Sequence, residues 1–390
     1  MTDADSVFDR ALAAIEKVKK VSILDVARVG EVLTAWHGVE DFGELDGVVS
    51  FSEMAQPLVA RLIEKLGLPG NSSAAVDSAR DKHATRRCMS EAGLPTPRNF
   101  LITREDELDA ASQLVGYPAV IKPIHGAASL GVVRVDDHEA LLRAYARVRR
   151  EMGSVRVHSG IVEQMASDDE GEGNFTTTLM MEEYLDGPEV DVDVVFSEGQ
   201  AVYGAPYFNE TGSNSPSILP SAQQRELLEL GVASVKALGF DMGVFHVECK
   251  YTSRGARLIE VNCRMGGGPV RNMNLLVWGV DLVEEALLAA AGIPSRPNVA
   301  SRPLRCLGEY LVNAPKTGVL GDLGFLREFA ERKGVLLAKP CVAPGSKVVC
   351  VADGMPTWLV ELQVEADTPR AAVALAEALS KEITERIPIH

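Results

Sequence analysis

No C-x-x-C pair occurs among the six cysteines of this chain, at positions 88, 249, 263, 306, 341 and 350, so neither a zinc site nor a disulfide framework is indicated. No apolar run approaches the roughly 18 residues of a membrane span. Basic residues are scarce: 39 Lys and Arg stand against 55 Asp and Glu, a formal charge of −16. That balance argues against a nucleic-acid or anionic-membrane surface. The opening MTDADSVFDR carries acidic residues where a secretory signal would be basic and then apolar. Internal repeats and low-complexity tracts are missing too, which excludes a solenoid. A cytoplasmic globular protein is the expectation that remains.

What is present fits that class. With 390 residues, 46% of them hydrophobic, the chain is too apolar for disorder and too long for one core. Strand and helix patterns alternate, which predicts α/β architecture. GVVSF at 47–51 reads as a buried strand leading into a helix over 53–66 that stops at Gly67. A second helix is expected over 78–92, closed by Gly93 and LPTP. PAVIKP and GVVRV read as two short strands joined by HGAASLG, with further strands at 161–164, 178–184 and in PEVDVDVVF. Ser221 and Gln224 stand in capping-box positions for a helix over 222–238, and Asp281 and Glu284 open another that ends at Gly292. WLVELQVEA is a strand, and Thr368-Pro369 starts the last helix.

The most informative stretch is GVFHVECKYTSRGARLIEVNCRMGGG, residues 243–268. It reads as two strands with a turn near Ser253–Gly255. Strand alternation puts His246 and Glu248 on one face and Phe245, Val247 and Cys249 on the other. On the return strand Glu260, Asn262 and Arg264 oppose Ile259, Val261 and Cys263. Two facing carboxylates repel unless a cation lies between them, and Mg²⁺ takes one or two carboxylates plus substrate phosphates. A solvated edge hairpin is the alternative for so short a pattern. Lys122, inside an apolar strand, is expensive to bury unpaired, although a strand-end lysine can also snorkel to water. The small residues of HGAASLG, 125–131, let backbone N–H groups approach phosphate, yet the Walker A spacing is absent and a plain hairpin turn fits as well. Residues 207–221, YFNETGSNSPSILPS, form a polar segment too long for a simple turn.

Taken in order, these motifs resemble the ATP-grasp superfamily, specifically its carboxylate–amine ligases, among which the L-amino-acid ligases that make dipeptides are nearest in pattern. The resemblance runs from about Asp46 to the C-terminus. It implies an ATP-grasp fold, α/β with α+β character in the ATP-grasp part. It also implies that Glu248, Glu260 and Asn262 hold Mg²⁺ (or Mn²⁺) and that Arg264 contacts the reacting phosphate or carboxylate. By the same resemblance Lys82, Lys122 and Ser129 meet the ATP phosphates. Glu182, Glu183 and Leu185 would contact adenine, largely through backbone groups, and Glu189 the ribose hydroxyls. His125 is a candidate for phosphate or substrate, and Arg271 for a substrate carboxylate, helped by the 207–221 segment.

The implied organisation is an abbreviated preATP-grasp domain over 1–98, a first ATP-grasp subdomain over 99–186 that includes a mobile lid at about 118–185, a second over 187–300, and a C-terminal part over 301–390. Residues 1–45 begin with an expected helix near Ser6–Val18 and lack the usual Gly-containing turn. The implied chemistry is activation of a carboxylate as an acylphosphate, attack by an amine, and release of ADP and phosphate. Alternatives are biotin-carboxylase-like or purine-biosynthesis chemistry, or a nucleotide-binding protein without turnover. Small-molecule acid and amine substrates are the expected partners, with no nucleic acid or membrane, and the family resemblance is compatible with a homodimer.

Overall fold

A computed structural model describes residues 45–126, 131–153, 155–158, 161–164, 178–209, 212–353 and 356–390. The helix expected at Ser6–Val18 lies outside them. The first described element is no strand: residues 45–52 run extended with Val49 and Phe51 exposed, because no described strand pairs with them. Helix α1 (Gln56–Leu66) follows a short 3-10 turn and ends at Gly67, whose φ is +67°. The single helix expected over 78–92 is two, α2 (Ser73–Arg80) and α3 (Lys82–Glu91). Asp81 breaks them with an extended ψ and caps α3, its carboxylate accepting from the amides of His83 and Ala84. That is the usual competition of a short acidic side chain with helix continuation.

The next unit is a four-stranded antiparallel sheet in the order β1-β6-β2-β3, from β1 (Asn99–Ile102), β2 (Ala119–Pro123), β3 (Val133–Val135) and β6 (Leu179–Glu183). β4 (Val155–His158) and β5 (Ile161–Gln164) form a separate hairpin. Helices α4 (Leu108–Val115) and α5 (His138–Gly153) cover the sheet, burying Leu108, Ala111, Leu141 and Val148 against Ile102, Ile121 and Met181.

An eight-stranded sheet carries the rest. Its strands are β7 (Glu189–Ser197), β8 (Gln200–Asn209), β9 (Ser213–Ser215), β10 (Gly243–Thr252), β11 (Gly255–Asn262), β12 (Cys306–Asn313), β14 (Val335–Pro340) and β16 (Trp358–Ala366). They lie in the order β11-β10-β7-β8-β9-β12-β16-β14, while β13 (Gly318–Val319) pairs with β15 (Lys347–Val348) apart from it. All ladders between named strands are antiparallel. The polar segment 207–221 is therefore not a loop throughout: its start completes β8 and its middle forms β9.

Helix α6 (Ser221–Ala237) packs on one face of the sheet, where Val190, Val192, Phe245, Val247 and Cys249 are buried with Leu227 and Val235. The capping box expected for this helix does not form. Pro220 is the N-cap, and Gln224 turns back to donate to the carbonyls of Ser217 and Leu219. On the opposite face α7 (Val270–Trp278) and α8 (Leu282–Ala290) close over Tyr203, Ala205 and Val244, and Asp281 caps α8 as expected. α9 (Leu326–Ala330) and α10 (Pro369–Arg386) cover β12 and β16, with Thr368 as the cap of α10. Among the described residues no helix is long and apolar enough to cross a membrane.

The chain passes from the small sheet to the large one at Gly187, with φ +80° and an ideal Cβ only 2.1 Å from the carbonyl oxygen of Tyr251. A side chain there meets both backbone strain and a backbone clash. Gly67 shares the left-handed φ but has nothing within 4 Å of its Cβ position. Gly67→Ala should therefore lose about 1 kcal/mol, and Gly187→Ala clearly more, about 2 kcal/mol or above. Thermal melts of the two variants check this, and equal shifts would contradict the close approach at Gly187.

Candidate active site

The hairpin of β10 and β11 turns at Ser253–Arg254 and sets Glu248 directly opposite Glu260, with His246 opposite Asn262. Alternation buries Phe245, Val247 and Cys249 beneath and turns these polar groups to the other face. Strand β7 continues both rows, with Asp191 beside Glu248 and Asp193 beside His246. β8 adds Tyr207 next to Asp191. The result is a row of three carboxylates, Glu260, Glu248 and Asp191, across three adjacent strands at about 4.8 Å spacing.

Asp191, His246, Glu248, Glu260 and Asn262 line a cavity of about 540 Å³. Lys82 and Lys122 reach it from α3 and β2, and Glu53 and Arg264 close one end. Lys82 Nζ lies 2.8 Å from Glu260 Oε1, and Asn262 donates its amide to Glu248 Oε1 at 3.1 Å. Arg264 follows the end of β11. Its Nε lies 2.7 Å from Glu53 Oε2 and its Nη2 3.3 Å from Asn262 Oδ1. Arg80 holds the other Glu53 oxygen at 2.6 Å.

Below the lysines is a buried trio. Arg86 donates to Glu182 from Nε at 2.5 Å and from Nη2 at 3.2 Å, Lys122 Nζ donates to Glu182 Oε1 at 2.7 Å, and Arg86 also reaches the Ile259 carbonyl at 2.8 Å. Burial alone would raise the Glu182 carboxyl, but the two cations outweigh it and hold it at about 2. Burial pulls the Lys122 ammonium below its ordinary range, with Glu182 only partly offsetting it.

Glu248 behaves in the opposite way: burial, then the charge of Glu260, push its carboxyl up. Burial, joined by Glu248 and Glu189, also carries Asp191 well above the usual carboxylate range. Burial works against the charged form of His246. Its contact with Asp193, 3.0 Å away at Nδ1, and the charges of Asp191 and Asp193 more than offset that and bring it to about 9. A donor set of two facing, half-buried carboxylates and an amide oxygen suits a hard divalent cation, which would relieve the repulsion. The residues therefore fit Mg²⁺.

All but three of the residues expected at the site from sequence line this one cavity. Ser129 lies outside the described residues. His125 is half-buried with Nδ1 3.1 Å from the Arg80 carbonyl oxygen and is not among the lining residues. Arg271 faces away, in a two-point ion pair with Asp281 at 2.5 and 2.7 Å. In β6 and just past it, Glu183 pairs with Arg98 and Arg254, and the amides of Glu183 and Tyr184 are taken by the carbonyls of Arg98 and Pro118. Sequence reasoning missed Glu53, Arg86, Asp191 and Asn209. Only Asp191 left a signal, since VDVDV puts carboxylates at alternate positions of a strand otherwise made of buried valines.

The sequence pattern of the ATP-grasp domain matches residues 115–272, and that of the ATP-grasp N-terminal domain residues 1–70. Human carnosine synthase 1 is 32% identical over 277 residues, covering 67% of this chain and 32% of that protein. The alanine–anticapsin ligase of Bacillus subtilis is 26% identical over 260 residues, 62% of this chain and 52% of its own length. The chain thus spans about a third of the first relative and half of the second. A crystal structure of an L-amino acid ligase from Bacillus licheniformis superposes with a TM-score of 0.74 over 96% of this chain and 86% of that one, at 21% identity.

The buried trio generates a pH prediction. Glu182 is ionised well below its ordinary 4.5, so its stabilisation is complete above that pH and is lost as pH falls toward about 2. Glu182→Gln leaves two buried cations without a counter-charge and should lose about 3–5 kcal/mol at pH 7. The gap between wild type and variant should narrow at pH 3. Urea unfolding at the two pH values measures it, and a gap independent of pH would count against the ion trio.

Proposed function

The chain belongs to the ATP-grasp superfamily, and on that premise we propose that it is an ATP-dependent carboxylate–amine ligase acting on amino-acid-like substrates in the cytoplasm. The observation that carries the proposal is the registered pair Glu248 and Glu260, flanked by Lys82 and Arg264, in one cavity. A carboxylate is a poor electrophile and must be activated before an amine can displace oxygen from it. A substrate carboxylate oxygen attacks the γ-phosphorus of ATP, the bond to the bridging oxygen breaks, and ADP leaves with that electron pair. The amine lone pair then adds to the acyl carbon, the C–O bond to phosphate breaks, and the nitrogen loses a proton to give the amide.

Each residue has a part in this. Lys82 and Lys122 would hold phosphate oxygens, and Glu189 the ribose. A divalent cation at Glu248, Glu260 and Asn262 would neutralise charge on the phosphate oxygens. Arg264, its guanidinium oriented by Glu53 and Asn262, is suited to the transferring phosphoryl group, which needs a planar two-point donor. No nucleophilic Ser or Cys is required, since phosphoryl transfer depends on positioning and charge. Cys249 and Cys263 agree with that: burial is the first cause raising both thiols, the second to about 12.

Phosphate release over pairs of amino acids with MgATP, with mass spectrometry of the products, tests the proposal. Hydroxylamine in place of the amine should trap an acyl hydroxamate, whereas release of AMP and pyrophosphate would overturn the mechanism. Glu260→Gln should abolish turnover and weaken MgATP binding. Arg264→Lys should lower kcat by roughly a hundredfold while calorimetry finds ATP affinity nearly intact. A matching loss of affinity would make Arg264 a ground-state binding residue.

A further inference from the structure

Arg264 borders two cavities: the one that holds the carboxylates, and a smaller one of about 90 Å³ beside Phe51, Val244 and Met265. Packing alone therefore does not fix its guanidinium, and polar contacts must. Nη1 donates to the Met265 carbonyl at 2.8 Å, Nη2 donates to Asn262 Oδ1 at 3.3 Å, and Nε lies 2.7 Å from Glu53 Oε2. One N–H on each Nη is left over, which is the two-point donor that a phosphoryl oxygen pair needs. Of the three contacts only Glu53 comes from outside the β11 end, and Glu53 is itself held by Arg80. Arg80 Nη1 donates to the Glu53 carbonyl oxygen at 2.8 Å and to Glu53 Oε1 at 2.6 Å, while its Nη2 lies 3.5 Å from Met54 Sδ. One nitrogen that binds both the backbone and the carboxylate of a residue restricts that residue to a single rotamer. Arg80 is not among the residues lining either cavity.

Building on the ligase reading, we propose that Arg80 is a positioning residue for phosphoryl transfer, acting on Arg264 through Glu53. The file runs cation, anion, cation, from the end of α2 through the segment before α1 to the end of β11. Among the described residues these two arginines are the only cations paired with Glu53. While Arg80 holds one oxygen, Glu53 keeps a partner of its own when an anion draws on Arg264. Without Arg80, the carboxylate competes with the phosphoryl group for the same guanidinium. The backbone around Arg80 is tied separately. Asp81 caps α3, and the Lys82 amide donates to the Ile124 carbonyl at 3.0 Å. Loss of the Arg80 side chain therefore leaves Lys82 in place, so the phosphoryl step suffers and nucleotide binding does not.

Single-turnover formation of ADP, with enzyme in excess over ATP and the acid found in the amino-acid screen, reads the phosphoryl step, and calorimetry reads ATP affinity. Arg80→Met keeps the stem without the charge. It should slow the step roughly tenfold, within the hundredfold that a misplacement of about 1 Å can cost, at unchanged ATP affinity. Arg80→Lys should recover part of the rate, because both bonds to Glu53 leave from one nitrogen that an ammonium can replace. In an Arg264→Ala background, Arg80→Met should slow the step by less than about twofold more, since the group it positions is gone. A folding defect would slow both backgrounds alike. Equal slowing in the two backgrounds, or a loss of ATP affinity in step with rate, would overturn the proposal. Failure of wild type to cleave ATP with every acid of the screen would instead sink the ligase reading itself.

Discussion

Burying three charged side chains between separate elements is unfavourable unless they satisfy one another, and Arg86, Glu182 and Lys122 do so across the junction of the molecule. Arg86 comes from α3, Lys122 and Glu182 from the small sheet, and Arg86 also grips the backbone of β11 at Ile259. No single element could bury its own member alone. The helix that presents Lys82, the strand that presents Lys122 and the strand that presents Glu260 are thereby locked into one arrangement. The depressed Glu182 carboxyl and the raised Glu248 carboxyl lie in the same cavity wall and differ only in company: two cations against one, a second carboxylate against the other.

That contrast divides the cavity wall by charge. One side carries Lys82 and Lys122, the latter itself a member of the trio. Its hairpin side is a file of acids relieved in part by Lys82 at Glu260, by His246 near Asp191, and by the amides of Asn262 and Asn209. Arg264 sits where the two sides meet, steadied by Glu53 from the segment before α1. The segment before α1 therefore reaches the cavity through a carboxylate.

Much of this was legible in the residues. The shared face of His246 and Glu248 followed from alternation along β10, because a buried apolar face leaves its polar partners only one direction. On the return strand a bulge opposite Glu248 and Cys249 breaks the alternation and puts Ile259, expected on the apolar face, in the cavity lining. Cap residues Asp281 and Thr368 were equally readable, being local. Errors arose where a distant partner decided the outcome. GVVSF has strand composition but no described strand beside it. Asp81 looked like mid-helix and is a cap. Ser221 and Gln224 satisfied a spacing rule that Pro220 and the loop carbonyls overrode. Arg271 looked available until α8 brought Asp281 against it. Arg86 left no local trace, since a helix arginine becomes a structural keystone only once Glu182, 96 positions away, is folded over it.

The large sheet does not stop where the strands lining the cavity do. β9 is bonded on its far side to β12, and β12 to β16, so residues 306–366 complete the same hydrogen-bonded surface that begins at β11. The C-terminal quarter is thus no detachable appendage. Cutting the chain after residue 300 would uncover the short strand Ser213–Ser215 as a raw edge, with backbone donors and acceptors open to another copy. Recombination among proteins of this architecture would then tolerate joints before the sheet far better than joints within it.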